Sequence, residues 1–359
     1  MTKKILIIGG GTGGHIFPLR NLADELIHQG AMVEMVVADQ ELDRKIIQEN
    51  FSNIHTHFFR TGKIRRYISF QNILDVFRIV GSFWTAKKLL KSINPDVLFF
   101  KGGFVGFPFL VASKFLMKFH GKIYTHESDI SAGILTKLAK RFADESFESF
   151  SETSPMPLFY SPKITNGKLK IENRSFTHPS PTLLKSTQNQ SGSRKKILLF
   201  GGSQGSEFLN DAFFQKKEEL LSRYHVTLIT GIGKALAFKH EQFKQYEFLP
   251  VEKLSQEILE SDLVIARGGA NSLFEIIAAH KPSIIIPLPS VARNHQMLNA
   301  QFFEKKNLCR ILEQKKENIS ILPRKITETL KDTSLFQSLQ RSDIKNSAAT
   351  IAQKMLSSS

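Results

Sequence analysis

Two glycine clusters and one histidine carry the clearest chemical message in this chain. Gly9, Gly10, Gly11, Gly13 and Gly14 surround Thr12 and lead into His15, while Gly201, Gly202 and Gly205 bracket Ser203 and Gln204. Each cluster follows a short apolar run, ILII or ILLF. Glycine lets the backbone approach a ligand closely, and the free N–H groups and dipole at a helix start attract anionic oxygens. The chemistry implied is the holding of phosphate. An imidazole at the end of such a loop titrates near neutral pH and can accept a proton. Gly102-Gly103 after VLFF and Gly268-Gly269 after LVIA repeat the pattern.

Gly9, Gly11 and Gly14 also fit the G-x-G-x-x-G spacing of dinucleotide sites. The acidic residue expected about 20 positions later is poorly matched, because Asp39 lies 25 beyond Gly14. That motif does not explain a second glycine loop, and no Gly-Lys-Ser/Thr follows either loop. The remaining reading is a pair of phosphate-binding helix starts facing each other across a cleft.

Such loops need strands to present them. Four apolar runs that stop at glycine pairs read as buried parallel strands, whose carboxyl ends are where open α/β sheets bind ligands. The segments between them, such as LRNLADELIHQG, show helical spacing and a glycine stop. Alternating strand and helix implies α/β layers. SPTLLKSTQNQSGSRKK is polar and rich in turn residues, and marks the approach to a second domain. The expectation is two Rossmann-like, doubly wound α/β domains, 1–160 and 161–340. A closing helix within 341–359, around NSAATIAQKML, could pack back on the first.

The chain has 359 residues, 41% of them hydrophobic, and a net charge of +16, enough for two cores. A single cysteine, Cys309, excludes an internal disulfide and suits a reducing cytoplasm. The longest apolar zone, 102–113, falls short of the roughly 20 residues of a membrane span. The positive charge is clustered: residues 60–91 carry eight Lys/Arg against Asp75, and 163–196 eight against Glu172. Clustered charge points to a polyanionic partner. No zinc-ligand spacing and no nucleic-acid-binding motif occurs, so nucleic acid is not the expected partner.

GGGTGGHIFP, GGFVGFP, HES followed by GILTK, GGSQG, RGGANSLFEIIAAHKPSIIIPLP and NHQMLNA stand in this order. This series resembles the MurG family, the UDP-GlcNAc:lipid I N-acetylglucosaminyltransferases of peptidoglycan synthesis, over residues 3–310. The resemblance implies the GT-B fold, with donor UDP-GlcNAc on the C-terminal domain and the lipid-linked acceptor on the N-terminal domain. It implies inverting transfer to the C4 hydroxyl of MurNAc, with no metal or other cofactor. No Asp-x-Asp occurs, in keeping with that.

Carried over by resemblance, Gly202, Ser203, Gln204 and Gly205 cradle the donor diphosphate, and Glu275 takes the ribose hydroxyls. Arg267, Gly268 and Gly269 lie beside it, and Leu249 presents its backbone to uracil. His295, Gln296 and Asn299 read the GlcNAc hydroxyls. Thr12, Gly13 and Gly14 hold the acceptor diphosphate with Gly102, Gly103 and Phe104, and also reach the donor sugar. His15 is the expected general base, with Glu127 its rival. The chain departs from the family at His126-Glu127-Ser128-Asp129, where HEQN is usual, which puts a carboxylate against an anionic acceptor. At the domain junction TGNPVR aligns with Thr165–Lys170, so Lys170, a donor-binding position by resemblance, replaces an arginine and keeps its charge without its bidentate fork.

Within 60–91, Phe70, Ile73, Phe77, Val80 and Trp84 share a helical stripe, with Arg65, Arg66, Arg78, Lys87, Lys88 and Lys91 around it. This patch is expected to dock on anionic lipid at the cytoplasmic face of the inner membrane. Three other readings stand beside the favoured one: another UDP-sugar glycolipid transferase of this fold, a dinucleotide-dependent oxidoreductase using Gly9, Gly11 and Gly14, and a nucleotide-retaining membrane scaffold.

Overall fold

The computed structural model describes residues 2–10, 13–61, 70–160, 164–165, 168–171, 174–177, 194–202, 205–289 and 294–357. The chain divides into two compact units, Met1–Tyr160 with Asn346–Ser359, and Ser161–Lys345.

The first unit holds a parallel sheet of β1 (Lys4–Ile8), β2 (Met32–Ala38), β3 (His55–Phe59), β4 (Val97–Phe100), β5 (Lys122–Glu127) and β6 (Glu145–Glu148), in the order β3-β2-β1-β4-β5-β6. Its helices are α1 (Gly13–His28), α2 (Glu41–Asn50), α3 (Phe70–Ile93), α4 (Gly106–Val111) and α5 (Ile134–Phe142), and α4 runs on into a π turn at Ala112–Leu116. In β1 the run Ile5–Ile8 is fully buried, because its two faces feed two cores. Ile5 and Ile7 meet Ile16, Leu19 and Leu26 of α1, whereas Leu6 and Ile8 share a cluster with Ala86, Leu90 and Phe109. That is why a central parallel strand reads as a continuous apolar run.

The second unit repeats the plan with β10 (Lys195–Phe200), β11 (Tyr224–Ile229), β12 (Phe243–Tyr246), β13 (Leu263–Ala266), β14 (Ser283–Ile285) and β15 (Arg310–Ile311), in the order β12-β11-β10-β13-β14-β15. Between and after these strands run α6 (Glu207–Arg223), α7 (Val251–Glu260), α8 (Ala270–Ala278), α9 (His295–Lys305), α10 (Asn318–Lys331) and α11 (Thr333–Arg341). The last helix, α12 (Ala348–Ser357), belongs to the first unit. Its Ile351, Ala352 and Met355 are fully buried in the cluster that contains α1.

One element falls outside the α/β expectation. The stretch that holds the expected domain junction, Thr165–Lys170, contributes β7 (Ile164–Thr165), β8 (Lys168–Ile171) and β9 (Arg174–Thr177), a small antiparallel sheet in which Lys170 pairs with Ser175. In the sequence, Asn166-Gly167, the favoured pair for a two-residue hairpin loop, stands between β7 and β8; both residues lie outside the described ones.

Candidate functional site

The four glycine-ended runs become β1, β4, β10 and β13, and they are neighbours in pairs. β1 lies beside β4, and β10 beside β13. In each sheet the strand order reverses between those two strands, the place where doubly wound sheets bind ligands.

In the first unit the two loops touch. Gly103 has φ +82°, and a β-carbon there would lie 2.3 Å from the carbonyl oxygen of Gly10. Gly102 also has positive φ, +86°, so the backbone after β4 needs glycine twice. Phe104 is half-buried, its ring 6.1 Å from that of Phe107. Gly13, Gly14 and His15 form the first turn of α1; the His15 side chain lies outside the description, as Thr12 does entirely. Glu127 ends β5, and both its oxygens accept backbone hydrogen bonds, from Asp129 N–H at 3.1 Å and Gly133 N–H at 3.2 Å. Its carboxylate therefore shapes the loop that leads into α5. Ser128 is buried and Asp129 half-buried.

Asp39, set aside as a dinucleotide acid on spacing, stands directly after β2. Its carboxylate takes Arg44 Nε and Arg60 Nε at 2.6 Å each. Those two hydrogen bonds, Arg44 first, hold its pKa below the usual aspartate value.

In the second unit Gly205 has φ +70°, and a β-carbon there would lie 2.3 Å from Thr230 O. Gly202 has φ +83° with open space around it. Ser203 and Gln204 lie outside the described residues. Ser206 caps α6, its Oγ accepting from Leu209 N–H. Arg267 follows β13 and points into the protein. It donates to Ile286 O at 3.0 Å, Gln314 Oε1 at 2.5 Å and Ser206 Oγ at 2.6 Å. Burial lowers its pKa to about 10. The guanidinium thus braces three loops, and the cap of α6 among them.

Two of the residues assigned to sugar recognition also serve this frame. Asn299 is fully buried and donates to Gly268 O at 3.1 Å, and Gln296 Oε1 accepts from Leu288 N–H at 2.9 Å. A β-carbon on Gly268 would meet Gln296 O at 2.3 Å, so α9 and the loop after β13 fit only through glycine. His295 opens α9, half-buried. Gly269 is the N-cap of α8, which carries the half-buried Glu275 one and a half turns on. Leu249 is buried ahead of α7, and Lys170 is described by its backbone in β8 alone.

On α3, Val80 and Trp84 are 49% and 56% exposed, and Lys87 Nζ lies 5.1 Å from the Trp84 ring. Lys88 and Lys91 are exposed; the side chains of Ile73 and Phe77 lie outside the description. Sequence reasoning missed Phe115, which is 66% exposed on the π turn packed against α3, between the exposed Lys114 and Lys118. It sits beside an apolar stretch and so reads as core. No helix among the described residues is long and apolar enough to cross a membrane.

One group of side chains among the described residues could hold a metal: Glu34, His55 and His57, on adjacent strands β2 and β3. Glu34 already accepts from His57 Nε2 at 2.7 Å and pairs with Lys4 at 3.3 Å. The cluster lies toward the strands' amino ends, away from the glycine loops.

Two domains of this type, each with a glycine-lined switch point, are a plan on which nucleotide-sugar-dependent glycosyltransferases are built. Residues 5–148 match the glycosyltransferase family 28 N-terminal domain, and residues 196–355 match the family 28 C-terminal domain. The fold is also that of the Acinetobacter baumannii MurG crystal structure, with TM-score 0.73, 20% identity and 99% of both chains covered. The glycosyltransferase of kitacinnamycin gives TM-score 0.71 at 13% identity, over 99% of this chain and 98% of that one. The UDP-N-acetylglucosamine–N-acetylmuramyl-(pentapeptide) pyrophosphoryl-undecaprenol N-acetylglucosamine transferase of Shouchella clausii is 31% identical over 98% of both chains. The enzyme of that name from Clostridium perfringens is 32% identical, over 97% of this chain and 96% of its own. The chain belongs to this transferase family.

Proposed function

We propose that the protein transfers GlcNAc from UDP-GlcNAc to the C4 hydroxyl of MurNAc carried on a polyprenyl diphosphate, with inversion at the sugar's C1. The observation that carries this reading is full-length membership of the transferase family, with glycine-ended strand pairs at both switch points. In the second unit the backbone around Gly202 and Gly205 and the start of α6 receive the donor diphosphate. Amides fixed before the reaction stabilise the charge that develops on the departing UDP. Arg267 keeps that cradle in shape through Ser206. Glu275 accepts from the ribose hydroxyls, for which a carboxylate is suited because it only accepts. In the first unit the loops at Gly10 and Gly102–Gly103 receive the acceptor diphosphate. His15 takes the proton of the attacking hydroxyl, a contribution of about 10²–10⁴-fold.

Val80, Trp84 and Phe115, with Lys87, Lys88, Lys91, Lys114 and Lys118 from the same two packed segments, rest on the anionic cytoplasmic face of the inner membrane. Each lysine near that surface contributes about 1 kcal/mol, enough together for reversible attachment beside a lipid-linked acceptor.

The test is transfer of radiolabelled GlcNAc from UDP-GlcNAc to synthetic lipid I, with and without EDTA. Label in the lipid product, undiminished by chelation, is expected. Transfer only to another lipid overturns the acceptor assignment, and loss with EDTA overturns metal-independent chemistry. A thermal shift with UDP-GlcNAc and none with NADH separates this reading from an oxidoreductase.

A further inference from the structure

A lysine buried in a protein needs partners for its protons and a use for its charge. Lys101 is 2% exposed and stands between β4 and the Gly102–Gly103 turn. Its Nζ donates to His126 Nδ1 at 2.9 Å and to Ser128 Oγ. The other nitrogen of His126, Nε2, donates to Met156 O at 2.8 Å. That bond fixes the tautomer and leaves Nδ1 as a lone-pair acceptor for the ammonium. His126 is buried, and burial together with Lys101 keeps it neutral. An ammonium offers three protons, and two of them find acceptors among the described residues. Burial lowers the Lys101 pKa to about 8, against the opposing pull of the Glu127 and Asp129 carboxylates.

These contacts tie the end of β4 to the residues that close β5 and follow it. The serine hydroxyl is a direct acceptor for Lys101, and Asp129 is one of the two negative charges acting on it. The carboxylate and the buried cation form one arrangement: Asp129 is matched by the ammonium of Lys101 beside the same loop.

We propose that Lys101 is a positioning residue for the acceptor, fixing the end of β5 and the residues after it, 126–129, beside Gly102–Gly103 and offsetting the Asp129 carboxylate, so that this loop receives a diphosphate-linked sugar. The proposal rests on the transferase reading. Without the ammonium, the carboxylates of Glu127 and Asp129 repel the incoming diphosphate, and the loss falls on acceptor binding while the donor, on the other unit, is untouched.

Steady-state kinetics with UDP-GlcNAc and a short-chain synthetic lipid I test it. Lys101→Met is expected to raise the acceptor KM about tenfold or more and to leave the donor KM within about twofold. Lys101→Met combined with Asp129→Asn is expected to recover most of that loss, because the summed charge of positions 101, 127 and 129 returns to its wild-type value; a purely structural lysine predicts no such recovery. The wild-type protein gives an independent reading if Lys101→Met fails to fold. Its acceptor KM should rise as pH passes through 8 and Lys101 loses its proton against His126, Glu127 and Asp129, with no matching rise in donor KM. An unchanged acceptor KM in Lys101→Met, no recovery in the double variant, or an acceptor KM flat from pH 7 to 9 in the wild type overturns the proposal alone. A wild-type protein that binds UDP-GlcNAc but transfers to no lipid I overturns the transferase reading, and this proposal with it.

Discussion

Replacing Arg267 by methionine removes three hydrogen bonds at once, to Ile286 O, Gln314 Oε1 and Ser206 Oγ. Hydrogen bonds to a charged group contribute about 1.5–3 kcal/mol each. Taking a desolvated charge out of the interior offsets part of the loss, and Gln314 is able to turn toward water. A net destabilisation of about 3 kcal/mol follows. In a domain of this size each kcal/mol lowers Tm by about 2–4 °C, so the second unit should melt roughly 6–12 °C earlier. Calorimetry measures the drop, and the fluorescence of the only tryptophan, Trp84 in the first unit, provides an internal comparison that should move less. Because Ser206 loses its brace at the cap of α6, the KM for UDP-GlcNAc should also rise, by about tenfold. A calorimetric transition within about 2 °C of wild type, with an unchanged donor KM, would refute the bracing role.

Three further outcomes are expected. Gly205→Ala should lower Tm far more than Gly202→Ala: both need positive φ, which costs an alanine about 1–2 kcal/mol, but only at Gly205 does the new methyl meet a backbone oxygen, at 2.3 Å. Equal effects would mean the loop rearranges freely. Anionic vesicles should shift Trp84 emission to the blue at low salt, and Phe115→Ala should weaken that binding without altering transfer to a detergent-soluble acceptor; no spectral shift would remove the membrane patch. Cys309, fully buried with its thiol toward Ala300 O, should resist thiol reagents until the protein unfolds. Burial, with Glu304 adding to it, pushes its pKa above that of an ordinary thiol. The folded thiol keeps its proton while the unfolded one loses it, so stability should fall as pH climbs through about 9. A Cys309→Ala variant should lose that part of the slope.

The architecture was legible because central parallel strands advertise themselves. ILII, VLFF, ILLF and LVIA are buried on both faces, so no polar alternation interrupts them, and each stops where glycine is needed for a close approach. What escaped the sequence depends on contacts between distant residues. Nothing near Arg267 in the chain shows that its guanidinium turns inward to Ser206, or that Asn299 is wholly buried beneath Gly268. Lys101 looks like the polar end of a strand until β5 brings His126 and Ser128 against it. Phe115 reads as core because apolar neighbours precede it, yet the π turn sets it outward.

Helix α12 has a bearing on how the molecule is made. Its Ile351, Ala352 and Met355 complete the layer that contains α1, yet they are synthesised after every residue of the second unit. The second unit is one unbroken stretch and can close as soon as it leaves the ribosome. The first must wait, with the groove over α1 open and apolar, until the last helix arrives to fill it. An isolated fragment of residues 2–160 would carry that groove uncovered into solution, whereas the same fragment joined through a short linker to 346–357 would bring its own cover.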